Sequence, residues 1–310
     1  MSKKEKILII KLGALGDFMV ALGRIMAIRE HYADAEITLM THKSLVAIGK
    51  QTGCDHFIID NRVSYLNIKE QKRILDEVIA GDFDRVINLQ PVKRTQKRYL
   101  PVFRWMMPHS FIWTDGYNGE TIDVKKKRSW SWGTATTYTL PVVSKVTDLS
   151  FLHGENKHFN ELPEKFVTLI PGCSPGHPHK RWPIERFSEL AQRLADKGIH
   201  SVIIGTKAEE QEIAAIAAAT PMAVNMMNKT SIIDLPDLAR RALASVGNDT
   251  GPSHITALSG QPMIALYATR KKPCSIKGPQ AINIVSPGPI GEISVDTVME
   301  ALAPFINQEG

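Results

Sequence analysis

With 310 residues, 43% hydrophobic and 23% charged, the chain has the composition of an ordinary folded protein and length enough for two domains, which excludes disordered and fibrous readings. Its formal charge of +6 and pI of about 9.1 favour an anionic partner without choosing among nucleotide, phospholipid and nucleic acid. The apolar run Ile7 to Ile10 is too short for a signal peptide or a membrane span, and Cys54, Cys173 and Cys274 lack metal-binding spacing, so a reducing, cytoplasmic location is expected.

In chain order, short β-rich runs alternate with longer helical patterns. The first half holds Lys6 to Lys11, Glu36 to Met40, His56 to Asp60, Arg85 to Gln90 and Ser110 to Trp113. The second holds Phe166 to Ile170, His200 to Gly205, Met222 to Asn225, Ala244 to Gly247, Pro262 to Tyr267 and Ile282 to Val285. This alternation predicts an α/β protein of two Rossmann-like domains with parallel sheets. The aperiodic stretch 144–164 reads as the linker, giving domains 1–160 and 161–310. The apolar spacing of Val295, Val298, Met299, Leu302 and Phe305 predicts a final amphipathic helix, which we expect to return to the first domain.

In open α/β sheets ligands bind after the strands, where loops enter helix N-termini. The first strand runs into Leu12-Gly13-Ala14-Leu15-Gly16-Asp17. Gly13 and Gly16 permit a tight turn and close approach to a ligand, with Asp17 at the helix start as either a site residue or a plain N-cap. A third glycine is missing, so this is not the dinucleotide fingerprint and a nicotinamide enzyme is disfavoured.

The sixth strand leads into Pro171-Gly172-Cys173-Ser174-Pro175-Gly176-His177-Pro178-His179-Lys180-Arg181-Trp182-Pro183, with Pro183 placed to open a helix. Small residues followed by two cations suit phosphate oxygens: amides bind them, and Lys180 or Arg181 neutralises a diphosphate leaving group. The alternative is a solvated surface loop, and His177 and His179 read as unliganded. The most specific run is Asn248-Asp249-Thr250-Gly251-Pro252-Ser253-His254, after the strand Ala244 to Gly247. Gly251-Pro252 starts a short helix and Gly260 stops it, so the amides and hydroxyls of Thr250, Gly251 and Ser253 are expected to face one point that holds phosphate.

Two further runs invite other readings. Asp82-Phe83-Asp84 imitates a metal-binding pair of carboxylates but precedes a strand, so it is taken as a polar turn, and no metal or cofactor is expected. Lys93, Arg94, Lys97, Arg98 and Arg104 surround Tyr99, Phe103, Trp105, Met106 and Met107, and Lys125 to Arg128 precede Trp130 and Trp132. Such mixtures fit peripheral contact with an anionic membrane, at the inner face of the cytoplasmic membrane, or equally solvated loops with core aromatics. No nucleic-acid module is recognisable, so no nucleic-acid partner is expected.

The three loops, Lys11 to Asp17, Lys180 to Pro183 and Asn248 to His254, resemble the signatures of glycosyltransferase family nine, the lipopolysaccharide heptosyltransferases. The resemblance spans nearly the whole chain in order. It implies a GT-B architecture, two Rossmann-like domains facing across a cleft. The implied reaction is inverting, metal-independent transfer of a heptose from ADP-heptose to a glycolipid or glycan acceptor. By similarity Asp17 matches the catalytic base, with Gly13, Ala14 and Gly16 as the acceptor-side loop. Lys180 matches the donor-phosphate lysine and Asp249 a residue at the donor sugar, while Thr250, Gly251 and His254 match positions near its diphosphate. Pro175-Gly176 stand where several members have hydroxyl side chains, which leaves Ser174 and backbone amides for phosphate. The family's ribose-binding acid has its first candidates here in Glu209 and Glu210. The alternatives are a same-fold transferase with another nucleotide sugar or a protein acceptor, and a nucleotide-sugar-binding protein without turnover.

Overall fold

The computed structural model describes residues 3–114, 149, 156–174, 176–268 and 276–307. The basic run at 125–128 and the tryptophans at 130 and 132 lie outside the described residues. The chain forms two compact units, Met1–Val146 and Thr147–Gly310, so the division falls inside the 144–164 stretch and ahead of the boundary expected at residue 160.

In the first unit the elements are β1 (Lys6–Ile10), α1 (Leu15–His31), β2 (Glu36–Thr41), α2 (Val46–Lys50), β3 (His56–Ile59), α3 (Ile68–Gly81), β4 (Arg85–Asn88), α4 (Leu100–Met106) and β5 (Phe111–Thr114). The sheet order is β3-β2-β1-β4-β5, and every pairing is parallel. A strand buried on both faces must be apolar at every position, which is why β1 reads as an unbroken aliphatic run, Ile7 to Ile10, wholly excluded from solvent. Tyr99, Phe103 and Met107 lie in this unit's core, whereas Trp105 is 80% exposed, so the basic-aromatic stretch divides between core and surface.

The second unit runs β6 (Phe166–Ile170), α5 (Ile184–Ala195), β7 (His200–Ile203), α6 (Glu210–Ala218), β8 (Ala223–Asn225), α7 (Leu235–Arg241), β9 (Ala244–Asn248), α8 (Gly251–Leu258), β10 (Met263–Tyr267), β11 (Ala281–Val285) and α9 (Val295–Ile306). Its parallel sheet has the order β11-β10-β9-β6-β7-β8. Phe187, Leu190, Ala191 and Leu194 recur at helical spacing along α5 and are fully buried, the larger three each contributing roughly 1.5–3 kcal/mol relative to exposure. Pro183 is the residue before α5 rather than its first residue. The last helix supplies Val295, Val298 and Leu302 to the core of its own unit.

In each sheet the strand order reverses beside the first strand, between β1 and β4 in one and between β6 and β9 in the other. At such a switch point the connections leave in opposite directions and open a crevice at the carboxyl ends of the strands. All three loops singled out in the sequence leave from these positions: after β1, after β6 and after β9.

Candidate active site

In the first unit Gly13 has φ of +86°, and a Cβ there would sit 2.8 Å from Leu45 Cδ1, so the turn requires glycine. The helix that follows is capped by Ala14, whose side chain makes no capping bond, and Asp17 lies in the first turn. Asp17 is therefore not the N-cap. Its half-buried carboxylate sits where the positive end of the helix favours the anion. Lys11, just upstream, is 3% exposed and donates from Nζ to the Leu89 carbonyl at 3.2 Å, which ties the end of β1 to the end of β4.

Donor-side residues converge in the second unit. Pro178–Lys180 form a single 3-10 turn, and Lys180 Nζ reaches Asp249 Oδ2 at 2.8 Å, joining the loop after β6 to the loop after β9. His254 Nε2 lies 3.8 Å from the other Asp249 oxygen, Oδ1. The lysine side chain is 19% exposed, the aspartate 8% and the histidine 13%, so the three charges or dipoles meet where water is sparse. The helix α8 starts beside them: Thr250 precedes it in extended conformation and makes no side-chain cap, so its hydroxyl is not committed to the helix. Gly260, with φ of +87°, follows its C-terminal end.

Asn248 holds this arrangement, a role that its place at the head of the Asn248–His254 run does not disclose. Wholly buried, it donates from Nδ2 to the Pro171 carbonyl at 2.7 Å and accepts at Oδ1 from the Trp182 amide at 2.9 Å, bracketing the loop that carries Lys180. Trp182 in turn donates from Nε1 to the Ile293 carbonyl at 2.9 Å and packs edge-on against Phe187. The available signal was an amide at the end of a buried strand, which must find partners on both its polar atoms.

Three of the expected side chains have partners within the second unit. Ser253 does not face the phosphate point: it is fully buried and its hydroxyl donates to the Asn248 carbonyl at 2.7 Å. Arg181 is bound to its own unit, with Nη1 2.5 Å from Glu212 Oε1 and Nη2 3.5 Å from the Cys173 carbonyl. Glu209 closes a capping box, accepting from the Thr206 amide at 2.9 Å and hydroxyl at 2.8 Å, while a Cβ on Gly172 would meet its carboxyl carbon at 3.1 Å. It therefore sits beneath the Pro171-Gly172 turn, with Oε2 committed to the cap. Ser174 is exposed on the same loop. His177 and His179 stack edge to face, 5.6 Å between centroids, and no group of three or more metal-ligating side chains occurs among the described residues. Asp84 accepts from the Lys6 amide at 2.8 Å, and Asp82, with a left-handed backbone, follows α3, so this run turns the chain from α3 into β4.

The sequence profile of glycosyltransferase family 9 (heptosyltransferase) matches residues 130–284. The chain belongs to this family. Lipooligosaccharide heptosyltransferase 2 of Haemophilus influenzae is 35% identical over 106 residues, 33% of this chain and 30% of that protein, so this match spans about a third of the curated relative. The structure of Escherichia coli ADP-heptose lipopolysaccharide heptosyltransferase II aligns over 98% of this chain and 99% of that one, with a TM-score of 0.72 and 21% identity. Escherichia coli heptosyltransferase WaaC with ADP-2-deoxy-2-fluoro heptose aligns over 96% and 99%, with a TM-score of 0.69 and 17% identity. The two doubly wound units thus have the GT-B fold of these structures. The residues matched by the family profile include the loops after β6 and β9, at the switch point of the second sheet.

Proposed function

We propose that the chain is an inverting glycosyltransferase that moves a heptose from ADP-heptose to a lipopolysaccharide-core or related glycan acceptor. The observation that carries this reading is the Lys180–Asp249 pair at the start of α8, the only ion pair among the described residues linking the loops after β6 and β9. Similarity to a lipooligosaccharide heptosyltransferase 2, and to the fold of a heptosyltransferase solved with ADP-2-deoxy-2-fluoro heptose, supports the substrate class.

In this mechanism the diphosphate lies at the N-terminal end of α8, where the Gly251 and Ser253 amides precede the first helical bond, that from the His254 amide to the Thr250 carbonyl. Lys180 supplies the positive charge that a metal supplies elsewhere, and stabilises the leaving diphosphate as the sugar–oxygen bond breaks. Asp249 shares Lys180 before the donor binds and offers its carboxylate to the sugar hydroxyls afterwards. Asp17 takes the proton of the attacking acceptor hydroxyl as that oxygen bonds to the anomeric carbon. One carboxylate suffices for a single displacement with inversion.

The experiment is a thermal-stability screen of ADP-heptose beside UDP-, GDP- and dTDP-sugars, followed by transfer to a heptose-deficient core acceptor. A true donor at a hundred times its Kd stabilises the protein by about 2.7 kcal/mol. Stabilisation by another nucleotide sugar alone reassigns the donor, and no stabilisation by any of them removes the transferase reading.

A further inference from the structure

Three buried side-chain oxygens among the described residues take part in no hydrogen bond: Thr168 Oγ1, Ser201 Oγ and Gln90 Oε1. Thr168 and Ser201 stand inside β6 and β7 rather than after them, away from the strand ends where ligands bind. Gln90 stands at such an end. It is 5% exposed and follows β4, which pairs with β1 in the register that sets Ile10 beside Asn88. The Leu89 amide continues that pairing, donating to the Ile10 carbonyl at 2.9 Å. One residue further, Gln90 comes beside the loop in which Gly13 turns the chain towards Asp17.

The backbone at this position is held from several sides. The Gln90 amide donates to Asn88 Oδ1 at 3.1 Å, and the Gln90 carbonyl accepts from the Thr95 hydroxyl and from the Val92 amide at 2.7 Å. Lys11 Nζ holds the preceding carbonyl, that of Leu89, at 3.2 Å. Asn88 and Thr95 are wholly buried, so the residues that fix Gln90 are themselves fixed. Folding thus sets a carbonyl oxygen in place, strips it of water and leaves it unmatched, which costs free energy until an O–H or N–H reaches it. A ligand that brings such a donor exchanges no water bond for the new one. The place selects the donor. A saccharide that gives up one proton to Asp17 carries further hydroxyls on neighbouring carbons, and each can donate. Phosphate and carboxylate oxygens have no proton to offer a carbonyl.

We propose that Gln90 binds the acceptor: its Oε1 accepts from a second hydroxyl of the acceptor saccharide and orients the ring so that the reacting hydroxyl turns to Asp17. This rests on the glycan-acceptor reading above. It makes Gln90 a determinant of which saccharide is used, because a buried group built to receive a hydroxyl discriminates against an analogue that lacks it.

The test is steady-state kinetics and direct titration of wild type, Gln90→Met and Gln90→Asn with a heptose-deficient core saccharide and with analogues of it deoxygenated at one position at a time. Methionine keeps the volume and removes both polar atoms, while asparagine keeps the amide and draws it back by one methylene. In both variants acceptor KM and Kd are expected to rise roughly 10- to 100-fold, with donor KM within about twofold of wild type. The urea midpoint of Gln90→Met is expected to equal or exceed that of wild type, because an unmatched buried oxygen is removed. One deoxy analogue should cost wild type the same factor and cost Gln90→Met nothing further. Variants that bind the acceptor as wild type does overturn the inference. So does a Gln90→Met protein whose stability, donor KM and acceptor KM all worsen together, the pattern of a group that only supports the fold. Wild type that binds no saccharide and transfers to none removes the glycan-acceptor reading and the inference with it, whereas equal acceptor KM values in active proteins remove the inference alone.

Discussion

Lys180 and Asp249, 69 positions apart in the chain, meet at 2.8 Å with the aspartate almost wholly shielded from solvent. Removing the lysine takes the cation away from a buried carboxylate. Lys180→Ala should therefore destabilise the second unit by about 1–3 kcal/mol in urea unfolding. It should also lower kcat/KM by roughly 10²–10³-fold, the usual loss for one preorganised charge-stabilising group. The double variant Lys180→Met/Asp249→Asn removes both charges, so it should recover most of the stability and none of the activity. Recovery of activity would show that the pair is structural only.

Asn248 should be as sensitive as any charged residue of the site. Truncation to alanine orphans the Pro171 carbonyl and the Trp182 amide together, at a cost of about 1–3 kcal/mol for each buried group left unpaired. Because those two groups bracket the loop bearing Lys180, donor KM should rise along with the loss of stability. Steady-state kinetics with varied donor, well below the melting temperature, separates the two effects.

In the first unit Asp60 is completely buried and bound by Arg94 through both oxygens and by the Tyr99 hydroxyl at 2.7 Å. Burial opposes the Arg94 charge, but its hydrogen bond to Asp60 and the attraction between them outweigh that, so the guanidinium is held above its ordinary value. Arg94→Ala strands the Asp60 charge, and a loss of about 3–5 kcal/mol is expected for one partner removed from a buried pair. Chemical denaturation measures it, and a loss below about 1 kcal/mol would mean that water reaches Asp60.

The same cluster predicts an alkaline limit. Burial pushes the Tyr99 phenol well above its ordinary value, and the hydrogen bond to Asp60 and its charge add to the shift. The unfolded chain releases this proton near pH 10 while the folded chain keeps it, so above that point the unfolded state binds fewer protons and stability falls as pH rises. The contribution is fully present below pH about 10. Tyr99→Phe should flatten the decline of stability between about pH 10 and 11.5, followed by denaturant midpoints at fixed ionic strength.

The β-strands were readable because parallel strands buried on both faces must be apolar throughout, as in Ile7 to Ile10, and the sequence placed each within about two residues of its observed ends. The loops after β1, β6 and β9 were readable because glycine, proline and small polar residues cluster where a strand turns into a helix. Partnerships across the chain were not. Nothing local to Ser253 tells that its hydroxyl folds back on the Asn248 carbonyl, and nothing in Arg94, lying in a basic run, tells that Asp60 will bury it. Likewise the last helix shows an apolar stripe, but the stripe does not say which core receives it, and Val295, Val298 and Leu302 went to their own unit.

Acceptor-dependent release of ADP from ADP-heptose by Asp17→Asn beside wild type tests most directly whether Asp17 is the base of a sugar transfer from a nucleotide diphosphate. The substitution keeps the shape of a half-buried side chain in the first turn of α1, so melting temperature and donor affinity should stay within error of wild type. Turnover should fall by about 10²–10⁴-fold, the usual contribution of a positioned general base. A folded Asp17→Asn enzyme that retained near wild-type turnover would contradict this role for Asp17.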